Sequence, residues 1–215
     1  NGSDDDTLEI ALSFGIRVIT TDQWLGYGPQ KQLALTLSNG DWVLCVDADE
    51  RVSSDLRKEI LEVVKQDADR CYQIRRNNYF LGKQMKFGGW ANDWVLRLAK
   101  RDFCRFSNDL LHERLESDHP IARLSGELTH VSYRNTDDIF KKQIRYADLG
   151  AQKLLESGRT TSHPTLRAVW TFVRLYLIQL GFLDGWRGAL FASSKASETF
   201  WRYALADSRR KKACI

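Results

Sequence analysis

Apolar positions recur at helical spacing near the N-terminus, at strand spacing through the middle, and at helical spacing again to the end. Leu8, Ala11 and Leu12 share one side of a helix predicted over residues 5–14, which Gly15 ends. Ile16-Arg17-Val18-Ile19 reads as a short strand. A Gly- and aromatic-rich loop, Trp24 to Pro29, leads to a second helix over Gln30 to Ser38, stopped by Asn39-Gly40. Trp42-Val43-Leu44-Cys45-Val46 is a short apolar run of the kind a buried strand carries. Leu56, Ile60, Leu61 and Val64 mark a third helix over residues 54–66. Alternation of helices and strands predicts an α/β fold whose first half has parallel strands joined by helical crossovers.

After residue 70 the period changes. Cys71 to Arg76 alternates like a half-exposed strand, Trp94 to Ala99 reads as another, and Arg123 to Tyr133 as a third. Turns rich in glycine separate them, including Leu81-Gly82-Lys83 and Gly88-Gly89-Trp90. The second half of the sheet is therefore expected to be mixed, with antiparallel strands. From about residue 137 the pattern is helical. Asp137-Asp138 caps a helix that Ser157-Gly158 stops, and Ser162 and Pro164 open an apolar helix from Thr165 to Phe182. Gly181-Phe182-Leu183-Asp184-Gly185 breaks that helix, and Trp186 to Ala206 is a last amphipathic one. The chain thus divides into residues 1–136 and a helical region, residues 137–215.

The strand at Trp42 ends in Asp47-Ala48-Asp49-Glu50. In open α/β sheets ligands bind at the carboxyl ends of strands. In an extended segment Asp47 and Asp49 would leave the same face. Two oxygen ligands there suit a hard divalent cation, and such cations commonly hold substrate phosphates. The competing reading is a solvated acidic turn ahead of a helix, a cap that Ser53 or Ser54 provides alone.

Composition adds little except at the ends. The 215 residues carry a net charge of +4, with Asp4-Asp5-Asp6 near the start and Arg209-Arg210-Lys211-Lys212 near the end. Five of the seven tryptophans lie from Trp90 onward. A basic tail beside apolar, Trp-rich helices fits an anionic membrane surface better than nucleic acid. No apolar run reaches the length of a membrane span. Cys45, Cys71, Cys104 and Cys214 show no paired spacing, which argues against a zinc site or a disulfide framework and for a reducing compartment.

The chain resembles the family 2 glycosyltransferases of the GT-A fold. The features that carry the resemblance come in order: Asn1-Gly2-Ser3-Asp4-Asp5-Asp6-Thr7, like the turn after the second strand of that fold; Gly28-Pro29-Gln30-Lys31 leading into a helix; Asp47-Ala48-Asp49, matching the DxD motif; then Glu113 and His130. More narrowly it resembles lipopolysaccharide core glucosyltransferases, through Gly88-Gly89-Trp90, Asp93, Arg97-Leu98, Leu111-His112-Glu113 and the Gly181 to Gly185 element. The resemblance implies a GT-A nucleotide-sugar-binding mixed sheet flanked by helices, with a C-terminal helical extension. It also implies a strand and a base-binding acidic residue upstream of Asn1.

Further implications concern chemistry. An inverting, metal-dependent enzyme would move a hexose, glucose from UDP-glucose, to a lipid-linked saccharide acceptor. Asp49 would coordinate Mg²⁺ or Mn²⁺, with Asp47 in water-mediated metal or ribose contact and His130 or His112 as a further ligand. Glu50 would support the site from behind or supply charge at the N-terminus of the next helix. Glu113 would be the general base, with Asp93 as the alternative. Lys31 and Arg97 would offset diphosphate charge, and Trp90 and Trp94 would stack on the acceptor sugar. The expected location is cytoplasmic, at the inner face of the plasma membrane. Two other classes stay open at this point: a nucleotidyltransferase, since a strand-end Asp pair also serves two-metal chemistry, and a non-catalytic membrane-binding module.

Overall fold

A computed structural model describes residues 5–21, 24, 26–107, 113–158 and 162–212. Helices α1 (Thr7–Ser13) and α2 (Tyr27–Thr36) precede a short strand β1 (Trp42–Leu44). β2 (Glu50–Val52) leads into α3 (Ser54–Gln66), whose Ser53 cap accepts a hydrogen bond from Leu56 N at 3.2 Å. Then come β3 (Cys71–Phe80), β4 (Lys83–Gln84), β5 (Trp94–Lys100), β6 (Arg105–Phe106), β7 (Leu115–Glu116) and the long β8 (Ile121–Tyr133). The chain closes with α4 (Thr136–Glu156), α5 (Pro164–Val173) and α6 (Trp186–Lys212). Asn135 caps α4, where Asp137 and Asp138 in the first turn suit the helix dipole.

The main sheet runs β1-β5-β3-β8-β2, with β4 added to β3. It is mixed and flanked by helices, as the GT-A expectation requires. Its pairing corrects the expectation of a parallel first half. β1 pairs antiparallel with β5, and β2 antiparallel with β8; β3 with β8 is the parallel pair. The supposed strand at Ile16–Ile19 forms no ladder, and Ile16 and Ile19 stay exposed. Its apolar pattern is right for a strand, but pairing depends on a neighbour, which local pattern does not specify.

Three apolar clusters hold the fold. Leu56 and Val63 of α3 pack on Tyr72, Ile74, Leu98, Leu124 and Leu128 on one side of the sheet. Leu35 of α2 packs with Cys71, Ala99, Phe106 and Leu115 in a second cluster. Phe80, Met85 and Ile139 form the third, which Trp90, Leu190 and Phe191 complete. That last cluster spans both halves of the chain, since Leu190 and Phe191 belong to α6.

Polar bonds reinforce this junction. Asp184, almost fully buried, accepts hydrogen bonds from Lys86 N at 3.1 Å and Phe87 N at 2.9 Å. Gly88 N donates to Gln179 O at 2.8 Å, and Arg187 Nε donates to Leu81 O at 3.2 Å. The single helix expected from Thr165 to Phe182 is three pieces. α5 passes into a π-helical turn over Arg174–Ile178, and a 3₁₀ turn follows over Gly181–Asp184. Tight packing accounts for the glycines: a Cβ on Gly188 would stand 1.8 Å from Gly181 O.

Candidate active site

Strand β1 delivers Cys45, Val46 and Asp47 to its carboxyl end, where Cys45 N donates to Arg97 O at 2.8 Å. The chain then turns. Glu50 N donates to Asp47 O at 2.9 Å, and Asp47 N donates to Glu50 Oε2 at 3.0 Å. The expectation of one extended face for Asp47 and Asp49 fails here, because the turn engages them with different partners. Asp47 meets Lys31 Nζ at 2.6 Å and Arg97 Nη2 at 2.6 Å, one cation on each carboxylate oxygen. Asp49 Oδ2 instead lies 3.5 Å from His130 Nε2.

Arg97 reaches Asp47 through a bulge. Tyr72 of β3 pairs with Leu98 and the next residue, Gln73, pairs with Leu96, so Arg97 is the extra residue on β5. A bulge re-aims the side chain it carries. Arg97 is buried and also donates to Glu50 Oε1 at 2.7 Å. Burial works against its charge, but Asp47 and Glu50 outweigh that and hold the guanidinium above its usual pKa. Burial would likewise raise the Asp47 carboxyl, and Arg97 and Lys31 hold it below the usual 3.8. Lys31, on α2, bridges onward to Glu113 Oε1 at 2.8 Å. Desolvation pulls the Lys31 amine down, yet Asp47 and Glu113 raise it.

These groups face one cavity of about 750 Å³, lined by Lys31, Asp47, Trp94, Arg97 and Glu113. Arg123 lies over the Trp94 ring, 4.6 Å from its centroid. The cavity therefore gathers five of the residues expected from the sequence. Trp90 stands elsewhere, its ring 4.6 Å from that of Phe191 in the third cluster. His112 lies outside the described residues.

Asp93 occupies a different position again. Arg76 forks onto it, Nε to Oδ2 and Nη2 to Oδ1, both at 2.9 Å. Asn78 Nδ2 donates to Asp93 Oδ2 at 2.8 Å, and His130 Nδ1 lies 2.6 Å from Asn78 Oδ1. A carboxylate only accepts, so it turns the Asn78 NH₂ toward itself and the amide oxygen toward His130. His130 Nδ1 must then carry a proton, and it is the other nitrogen, Nε2, that faces Asp49. Burial would raise the Asp93 carboxyl, but Arg76 and Asn78 hold it below its usual range.

Asp49 Oδ2 and His130 Nε2 stand 3.5 Å apart, a contact that holds the Asp49 carboxyl below its usual range; a cation that displaced the Nε2 proton would find two electron-pair donors there. Ligands in neighbouring positions on a Mg²⁺ ion sit about 3 Å apart at usual bond lengths. The chemistry of this pair fits a divalent cation that takes its remaining ligands from water or phosphate. Asp47 fits less well, with both oxygens committed to cations. Among the described residues no group of three or more His, Cys, Asp and Glu is arranged to hold a metal.

Asn78 and Arg76 are absent from the sequence-based reading. A signal for them exists in β3, where alternate positions Tyr72, Ile74, Arg76, Asn78 and Phe80 run apolar, apolar, polar, polar, apolar. Asn78 is nevertheless 1% exposed. A polar residue at a core position is kept for its partners.

Residues 1–110 match the sequence profile described as glycosyl transferase family 2, about half of the chain. The chain belongs to that family. The match ends before Glu113 and His130, but relatives align beyond it. An uncharacterized glycosyltransferase of Rickettsia typhi is 29% identical over 95% of this chain and 74% of its own length. A Rickettsia prowazekii glycosyltransferase gives the same figures. The lipopolysaccharide core biosynthesis glycosyltransferase LpsC of Rhizobium meliloti is 27% identical over 95% of this chain and 82% of its own. The family 2 assignment makes the protein a glycosyltransferase and displaces the nucleotidyltransferase and binding-module readings. Among the described residues of this family 2 chain, no helix is long and apolar enough to cross a membrane.

Proposed function

We propose that the protein is an inverting hexosyltransferase that moves glucose from UDP-glucose to a lipopolysaccharide core or similar lipid-linked saccharide at the inner face of the plasma membrane. One observation carries the reading: Glu113, Lys31 and Asp47 form a continuous chain of ion pairs on the wall of one cavity at the end of β1. The lipid-linked acceptor is supported by the LpsC likeness and by apolar side chains left exposed on the C-terminal helices.

In this reading Glu113 accepts the proton of the acceptor hydroxyl as that oxygen attacks the anomeric carbon. The bond from that carbon to the diphosphate breaks on the opposite side, and the diphosphate leaves with the electron pair. Lys31 and Arg97 line the cavity as cations that would offset the charge of the leaving diphosphate. Trp94 offers a ring for the apolar face of a sugar. Asp49 and His130 would hold Mg²⁺ or Mn²⁺, which when bound offsets diphosphate charge as a Lewis acid. Asp93 is a positioning residue: its oxygens are taken by Arg76 and Asn78, it does not line the cavity, and its depressed pKa makes it a poor proton acceptor.

Glu113→Gln tests the reading. UDP-glucose binding should survive, measured calorimetrically, while transfer falls about 10²- to 10⁴-fold, the usual worth of a general base. Transfer within tenfold of wild type would remove Glu113 from that role.

A further inference from the structure

A second cavity, about 820 Å³, opens between α5, α6 and the Gly88-Gly89 turn. Its walls carry Arg167, Arg174, Lys195 and Arg202, against a single carboxylate, Glu198. Lys195 and Arg202 each meet Glu198 at 2.5 Å, which leaves the two arginines of the other wall uncompensated. Arg167 Nε donates to Ser162 O at 3.1 Å and its guanidinium covers the Tyr203 ring, so its terminal nitrogens have no carboxylate among the described residues. Arg174, at the start of the π-helical turn, is exposed and likewise has no acidic partner among them.

Leu166, Trp170 and Arg174 are spaced four apart and share one side of the helix. Leu166, Trp170, Leu177, Ile178, Leu183 and Trp186 are each more than half exposed. Leu166 and Trp170 line the cavity itself, and large apolar side chains grouped on a surface mark an interaction site.

We infer that this cavity is a binding site for the phosphate of an anionic phospholipid, with the surrounding apolar side chains seated in the membrane interface. Charge selects the occupant. A symmetric contact with a second copy would set Arg167 and Arg174 against their own equivalents, which is repulsive. A small soluble anion would satisfy the arginines but leave Leu166 and Trp170 in water. A lipid leaflet satisfies both, since tryptophan and arginine suit the headgroup level. The inference rests on the proposed lipid-linked acceptor and gives the enzyme its seat beside it.

The test is co-sedimentation of the full chain with phosphatidylglycerol-rich vesicles and with pure phosphatidylcholine vesicles. Binding should require phosphatidylglycerol. Each basic residue at an anionic surface is worth about 1 kcal/mol, so Arg167→Gln with Arg174→Gln should weaken partitioning roughly 30-fold. Lys58→Gln with Lys65→Gln on α3, the same change in net charge, should cost less than about threefold. Equal losses in the two double variants, or none in the first, would overturn the site. So would thermal stabilisation by inorganic phosphate that the arginine variant loses, in the absence of vesicle binding; that outcome means a soluble ligand. Calorimetric titration with UDP-glucose separates the two readings: donor binding without vesicle binding sinks this inference alone, and absent donor binding sinks the proposed enzyme.

Discussion

Asn78 decides which nitrogen of His130 keeps a proton. Its amide is oriented by Asp93 on one side and so fixes the protonated nitrogen of His130 on the other. Asp93→Asn separates this role from that of a base. Residues that orient a metal ligand typically govern 10- to 100-fold in metal affinity, so Mn²⁺ binding followed by electron spin resonance should weaken about that much. Unchanged Mn²⁺ affinity with lost transfer would return Asp93 to the candidate bases. The same variant should alter acid stability. The folded-state pKa of Asp93 is depressed, so its contribution is present above the unfolded value of 3.8 and lost as pH falls through the folded value. Wild type should therefore lose more of its urea midpoint than Asp93→Asn between neutral pH and pH below about 4. The Asp pair was legible in the sequence because a short apolar run ends abruptly in it. The turn that parts them was not, since it depends on the Glu50 side chain accepting from Asp47 N.

At the scale of elements, periods read well and pairings did not. Helix α3 starts where Ser53 supplies its cap, whereas α4 is capped by Asn135 and not by the expected Asp137-Asp138, which lie in its first turn. The strands from Cys71, Trp94 and Ile121 were visible as alternation, but their order and direction depend on side chains far apart in sequence. The Arg97 bulge is invisible in a run that reads Trp94-Val95-Leu96-Arg97-Leu98. The break after α5 was legible through Gly181 and Gly185, whereas its purpose was not. Asp184 there accepts from the backbone of the turn after β4. Asp184→Ala would leave those amides without a charged acceptor, at a cost of about 2–3 kcal/mol, to be read from the urea unfolding midpoint at unchanged slope.

Across the whole molecule the two expected regions share a core. Phe80 and Met85 come from the sheet side, Ile139 and Phe191 from the helical side, and the aromatic rings of Phe80 and Phe191 lie 5.8 Å apart. Removing residues 137–215 would strip Phe80, Met85 and Trp90 of their cover. The remaining chain should bind a hydrophobic dye and lose near-ultraviolet dichroism, as loosely packed states do; a native-like spectrum would show that the sheet stands alone. The join has a practical meaning for exchanging parts between relatives. Because Asp184, Gln179 and Arg187 hold residues 81–88 by their backbone, a tail transplanted from another family member should arrive with its own version of that loop. The natural unit of exchange is thus discontinuous in sequence: the C-terminal helices together with a segment threaded through the middle of the sheet.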